Sequence, residues 1–154
     1  DVELAIVGDG DLLAATRLQV AGCNHAARIQ VPGAGVATEW LAWADCFVLP
    51  SRREGLSNAR LEAMAAGLPC IANDIPPNRE VLADGDAGML VPVEDAERLQ
   101  EAMLRCAADV GHAGQLAQAA RTRVEKRYSI RGVAMEYADL YAALLLPVPA
   151  TVSK

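Results

Sequence analysis

Pro50-Ser51-Arg52-Arg53-Glu54-Gly55-Leu56-Ser57-Asn58-Ala59-Arg60-Leu61-Glu62-Ala63-Met64-Ala65-Ala66-Gly67-Leu68-Pro69 is the stretch from which the fold is read. The apolar run Cys46-Phe47-Val48-Leu49 before it reads as a buried strand stopped by Pro50-Ser51. After a polar loop, helical spacing predicts a helix over residues 58–66, with Gly67 as its stop just ahead of Pro69. Cys70-Ile71-Ala72 then starts another strand. A strand, a loop, a helix and a second short apolar strand make the unit from which parallel sheets are built.

The rest of the chain repeats that alternation. Leu4–Val7 reads as a strand that turns at Gly8-Asp9-Gly10, and Leu12, Leu13, Thr16 and Val20 fall at helical spacing. Residues 29–31 form a brief strand closed by Pro32-Gly33, and residues 36–44 a short helix carrying Trp40 and Trp43. Residues 73–77 read as a loop, with Asn78 opening a short helix through Leu82 and a turn at Asp84-Gly85-Asp86 before strand 89–91. Helices are expected over residues 96–109, 113–128 and 131–146, followed by a loose tail over 147–154. Continuous apolar strands must be covered on both faces. The expected fold is therefore α/β: one Rossmann-like, doubly wound parallel sheet with helices on both faces, over residues 1–146.

Composition sets the limits. With 154 residues, 53% of them hydrophobic, the chain can bury one sizeable core as a single domain. Its net charge is −6 and it has no basic run, which argues against binding nucleic acid through the phosphate backbone. Cys46 and Cys70 lie in apolar runs and read as small buried hydrophobes, which suits a reducing cytosol. His25 and His112 are far apart, with no metal-ligand spacing around them. No apolar stretch approaches the ~20 residues that span a bilayer, and no leader is recognised at the start. The chain opens directly on a strand without Met, so a piece of a longer protein is expected.

In open parallel sheets ligands bind beyond the carboxyl ends of the strands. The loop at residues 50–58 is the most informative of those ends. Gly55 removes a side chain just before a helix opens, so amides near Leu56, Ser57 and Asn58 can face a phosphate or diphosphate at the positive end of the helix dipole. Glu62 follows Asn58 by one turn, about 6 Å along the axis, where a carboxylate can accept both hydroxyls of a ribose. Glu54, on the other side of the entrance, is placed to accept hydroxyls of a sugar attached to the diphosphate. Taken singly, each glutamate is ordinary capping or solvated-helix chemistry. Arg52 and Arg53 either offset the diphosphate charge or are simply solvated.

This ordered set resembles the signature of glycosyltransferase family 4, in which two glutamates are separated by seven residues. Val7-Gly8-Asp9-Gly10 resembles the strand and turn of that family's carboxyl-terminal domain. Ala44-Asp45-Cys46-Phe47-Val48-Leu49-Pro50-Ser51 is similar to its strand ending in Pro-Ser, Gly85 to Pro92 to its later strand, and Tyr128-Ser129 to the start of its terminal helix. The resemblance covers residues 2–146. It implies half of a GT-B enzyme, lacking its first strand region and an amino-terminal acceptor-binding domain. It also implies a nucleotide diphosphate sugar as substrate, retention of anomeric configuration, no cofactor and no essential metal. On that basis Glu54 takes the catalytic position on the donor sugar and Glu62 the ribose, while Gly8, Gly55, Leu56, Ser57 and Asn58 complete the donor site.

The chain departs from the family in two ways. The basic pair that neutralises the diphosphate is expected upstream of this chain. Pro76-Pro77 also stands where a Gly-Gly is common, which removes two amide donors. The resemblance implies an isolated chain without transfer activity, in a cytoplasmic protein whose membrane contact is left open. A non-catalytic nucleotide-binding or regulatory domain is the alternative. Hydrolysis by paired carboxylates fits poorly, because such pairs flank one bond about 5–9.5 Å apart. No lysine is positioned for a phosphorylase cofactor.

Overall fold

The computed structural model describes residues 2–145, so the tail at 147–154 lies outside the described residues. The chain divides into two compact units, residues 1–44 and 45–154.

In the first unit, β1 (Leu4–Val7) pairs in parallel with β2 (Ile29–Gly33), matching Leu4 to Ile29 and Ala5 to Gln30 before a register shift. Strand β2 continues through Pro32-Gly33 rather than closing at Val31, since Pro at an edge costs no ladder bond. Helix α1 (Leu13–Ala21) is tied to β2 by Arg17, whose Nε and Nη2 donate to the carbonyls of Val31 (3.0 Å) and Pro32 (2.9 Å). Helix α2 (Ala37–Trp43) carries Trp40 and Trp43 edge to face, with ring centroids 6.0 Å apart.

The second unit holds β3 (Phe47–Leu49), α3 (Asn58–Ala66), β4 (Cys70–Asn73), α4 (Pro76–Val81), β5 (Met89–Val91), α5 (Ala96–Ala108), α6 (Val110–Arg127) and α7 (Ile130–Leu145). The strands run parallel in the order β3-β4-β5, with Ile71 paired to both Val48 and Met89. Every residue of β4 is buried, as a central strand requires. Helix α3 packs on β3, β4 and α6, while α5 packs on β4 and β5. The α6 contact face is the stripe Ala113, Leu116, Ala117, Ala120 and Val124, whose small residues allow close approach.

The architecture is α/β with parallel strands, as expected, the strand pairing falling into β1-β2 and β3-β4-β5. The core is less evenly spread than composition suggested. Among the described residues, the fully buried apolar side chains all lie between Ala63 and Val124. In the first unit Ile6, Val7 and Leu18 stay exposed. Helix α4 begins at Pro76, two residues before the sequence suggested. The first amides of a helix have no internal acceptor, so prolines in the first turn lose nothing and enter with φ already set.

Burial accounts for the thiols as well. It pushes the Cys70 thiol up to about 12. Cys46 is raised further, first by burial and then by the neighbouring Cys106. Cys23 is exposed. Iodoacetamide at pH 8 should therefore label Cys23 alone in the native chain and all four cysteines after guanidinium unfolding, as read by intact mass. Early labelling of Cys70 would contradict this core.

Gly88 is the tightest glycine of the core. A Cβ there would lie 2.8 Å from the Cys70 carbonyl oxygen and 2.9 Å from Leu82 Cδ2. Gly88→Ala should lower stability by about 1–3 kcal/mol, seen as a lower urea midpoint with unchanged slope.

Candidate donor-binding site

The site is built on the passage from β3 to α3. Ser57 is extended at φ −73°, ψ 115° and caps α3, its Oγ accepting from Arg60 N at 3.5 Å. The amides of Asn58 and Ala59 have no carbonyl one turn earlier in the helix to meet, so the entrance keeps donors at its positive end. Gly67 ends the helix at φ +80°, in the left-handed region.

Glu54, Gly55, Leu56, Ser57, Asn58 and Glu62 thus sit on one loop and helix as expected. Glu54 is half-buried, Leu56 is 57% exposed, and Glu62 is exposed one turn beyond Asn58. Arg52 reaches Glu94 at 2.5 Å, with both side chains largely solvated, so it is engaged in a surface pair of small energetic weight. Gly8 belongs to the first unit. Its N–H donates to the Gly33 carbonyl at 2.9 Å and is already used within that sheet.

Beneath this entrance lies a polar network that the reading of the chain missed. Arg60 is fully buried on the same face as Ala63 and Met64. Its Nη1 donates to Asn78 Oδ1, and Asn78 Nδ2 donates to the Asn73 carbonyl at 2.6 Å. Asn73 Nδ2 in turn donates to the Ser51 carbonyl at 3.3 Å. The loop after β3, the end of β4 and the start of α4 are joined through Asn73 and Asn78, and Arg60 ties α3 to that chain at Asn78. Burial holds the Arg60 pKa below its usual value, while the charge of Glu54 opposes that shift. Arg60 Nε and Nη2 have no hydrogen-bond partner. Such buried donors cost about 1–3 kcal/mol each, more when charged. The signal was present: counting back three and four residues from Ala63 and Met64 puts Arg60 on the packing stripe.

Asp74 and Arg79 brace the same end of β4, with Arg79 Nη2 2.8 Å from Asp74 Oδ2 and Arg79 Nε on Oδ1. That pairing holds the Asp74 carboxyl below its ordinary value. A separate open groove, lined by Ala83, Ala87, Gly114, Gln118, Lys126 and Arg127, includes no residue of the 50–62 segment. Among the described residues, no group of three or more His, Cys, Asp or Glu is placed to hold a metal ion. No described helix is long and apolar enough to cross a membrane.

Residues 1–109 match the model of the glycosyl transferases group 1. The chain belongs to that family. It is 39% identical over 107 residues to a phosphatidyl-myo-inositol mannosyltransferase of Mycobacterium leprae, a match covering 68% of this chain and 28% of that protein. It is 27% identical over 146 residues to an N-acetyl-alpha-D-glucosaminyl L-malate synthase of Bacillus anthracis, covering 94% of this chain and 38% of the other. Anabaena HepE in complex with UDP-glucose shares the fold, with a TM-score of 0.82 at 20% identity over 92% of this chain and 41% of that one. The group 1 glycosyltransferase is thus of GT-B type, and this is its carboxyl-terminal domain. The chain spans less than two fifths of the length of the two curated relatives.

Proposed function

We propose that this glycosyltransferase domain holds a nucleotide diphosphate sugar for transfer, with retention of anomeric configuration, to an acceptor bound by an amino-terminal domain. What supports the reading is the α3 entrance, where Glu54, amides without an intrahelical acceptor and Glu62 follow one another along the chain, an order that suits sugar, diphosphate and ribose. Family membership supports the transfer chemistry, and structural neighbours in complex with UDP and UDP-glucose support the donor.

Charge develops on the departing diphosphate oxygen as the glycosidic bond breaks. Helix amides fixed in advance stabilise that charge without reorganising. The Glu54 carboxylate accepts sugar hydroxyls and orients the ring, while Glu62 grips the pentose. Pro76 and Pro77 offer no amide to the ligand and serve as the first turn of α4. Arg79 and Asp74 keep that turn in place. The reading calls for no cofactor and no resident metal, and it places the reaction in the cytoplasm.

Calorimetric titration with UDP and GDP tests the ribose grip. Glu62→Ala should weaken the bound nucleotide by about 10- to 100-fold, the loss of two hydroxyl contacts to a charged group. Absence of heat with either diphosphate at millimolar concentration would sink the reading.

The isolated chain should bind donor without transferring sugar. Joined to its acceptor-side domain, the Glu54→Gln protein should lose at least about a hundredfold in kcat while still binding UDP. No transfer by the rejoined wild-type protein would instead favour a non-catalytic nucleotide-binding domain, and unchanged turnover of Glu54→Gln would remove the role given to Glu54.

A further inference from the structure

Arg60 stands in an apolar stripe where a neutral side chain would satisfy packing better. It is fully buried, it uses only Nη1, and its remaining guanidinium donors are unspent. Replacing a whole buried ion pair by apolar side chains is often neutral or stabilising, whereas removing one partner of a buried polar contact is not. Apolar packing alone therefore does not account for Arg60, which supplies the donor to buried Asn78 Oδ1. Its surroundings suggest another role, because its one side-chain hydrogen bond leads through Asn78 and Asn73 to Ser51, three residues before Glu54.

We infer that Arg60 is a positioning residue for recognition of the donor sugar. Through the Asn78–Asn73–Ser51 chain it fixes the loop that carries the Glu54 carboxylate. The inference rests on the donor-site reading above. Arg60 is out of reach of solvent and acts through Glu54, so its influence falls on the sugar and spares the nucleotide.

The test compares UDP with UDP-glucose, and GDP with GDP-mannose, by calorimetry on the same chain. The quantity read is the affinity ratio between each sugar nucleotide and its bare diphosphate. Arg60→Met should reduce that ratio about tenfold and leave diphosphate affinity within about twofold. Its melting temperature is read alongside, because buried Asn78 Oδ1 loses its donor while two unpartnered guanidinium donors are removed. Arg60→Lys, which keeps the charge, should recover part of the ratio. In a Glu54→Gln background, Arg60→Met should change the ratio no further, because the two residues act as one unit.

Equal losses for sugar nucleotide and diphosphate would overturn the inference, as would an undiminished effect of Arg60→Met in the Glu54→Gln background. Should Arg60→Met fail to fold, the neutral Arg60→Gln is read in the same way. If both neutral variants unfold, Arg60 is structural and the inference falls. A wild-type chain that binds none of the four ligands defeats the donor-site reading itself. A wild-type ratio that collapses in Glu54→Gln but survives Arg60→Met removes only the role given to Arg60.

Discussion

The complete burial of β4 is the constraint around which the second unit is organised. A strand paired on both edges has no solvent to satisfy its backbone and no exposed face for polar side chains. Cys70, Ile71 and Ala72 meet that demand with small or branched apolar groups. Asn73 is the exception, a buried amide at the strand's carboxyl end. Its side chain must find a partner and finds the Ser51 carbonyl, while its own carbonyl accepts from Ile75 N and Asn78 Nδ2. The point where the strand turns polar is thus the point where the loops of the site are joined.

Much of this arrangement could be read directly from residue order. The bounds of α3, with Ser57 before it and Gly67 after it, follow from capping preference, because cap residues act through their immediate neighbours. Strand β4 was legible one residue short, because Asn73 looks like loop chemistry until its buried partners are known. The start of α4 was misjudged because Pro76-Pro77 reads as a breaker, and only the geometry of a first turn makes it an opener. The division into two units was not visible, since apolar content says how much can be buried but not where.

The candidate site divides along the same line. Glu54, Ser57, Asn58 and Glu62 are close in sequence, so helical periodicity places them without knowledge of the rest of the fold. Arg60, Asn73 and Asn78 meet only because β4 and α4 pass beneath α3, and nothing local to any one of them announces the others. Gly8 shows the opposite case. Its motif is recognisable, yet its amide is bonded within its own sheet. Family membership is carried by residues 1–109, and these contacts describe how the entrance is held in this chain.

The two prolines at the head of α4 have a thermodynamic consequence. Each restricts the backbone before folding as well as after it, so fewer disordered conformations are surrendered when the turn forms. A segment already rigid beside the proposed donor site has little freedom left for an arriving molecule to quench. Association there forfeits less entropy than it would at a glycine-rich loop, and more of the contact energy remains as affinity.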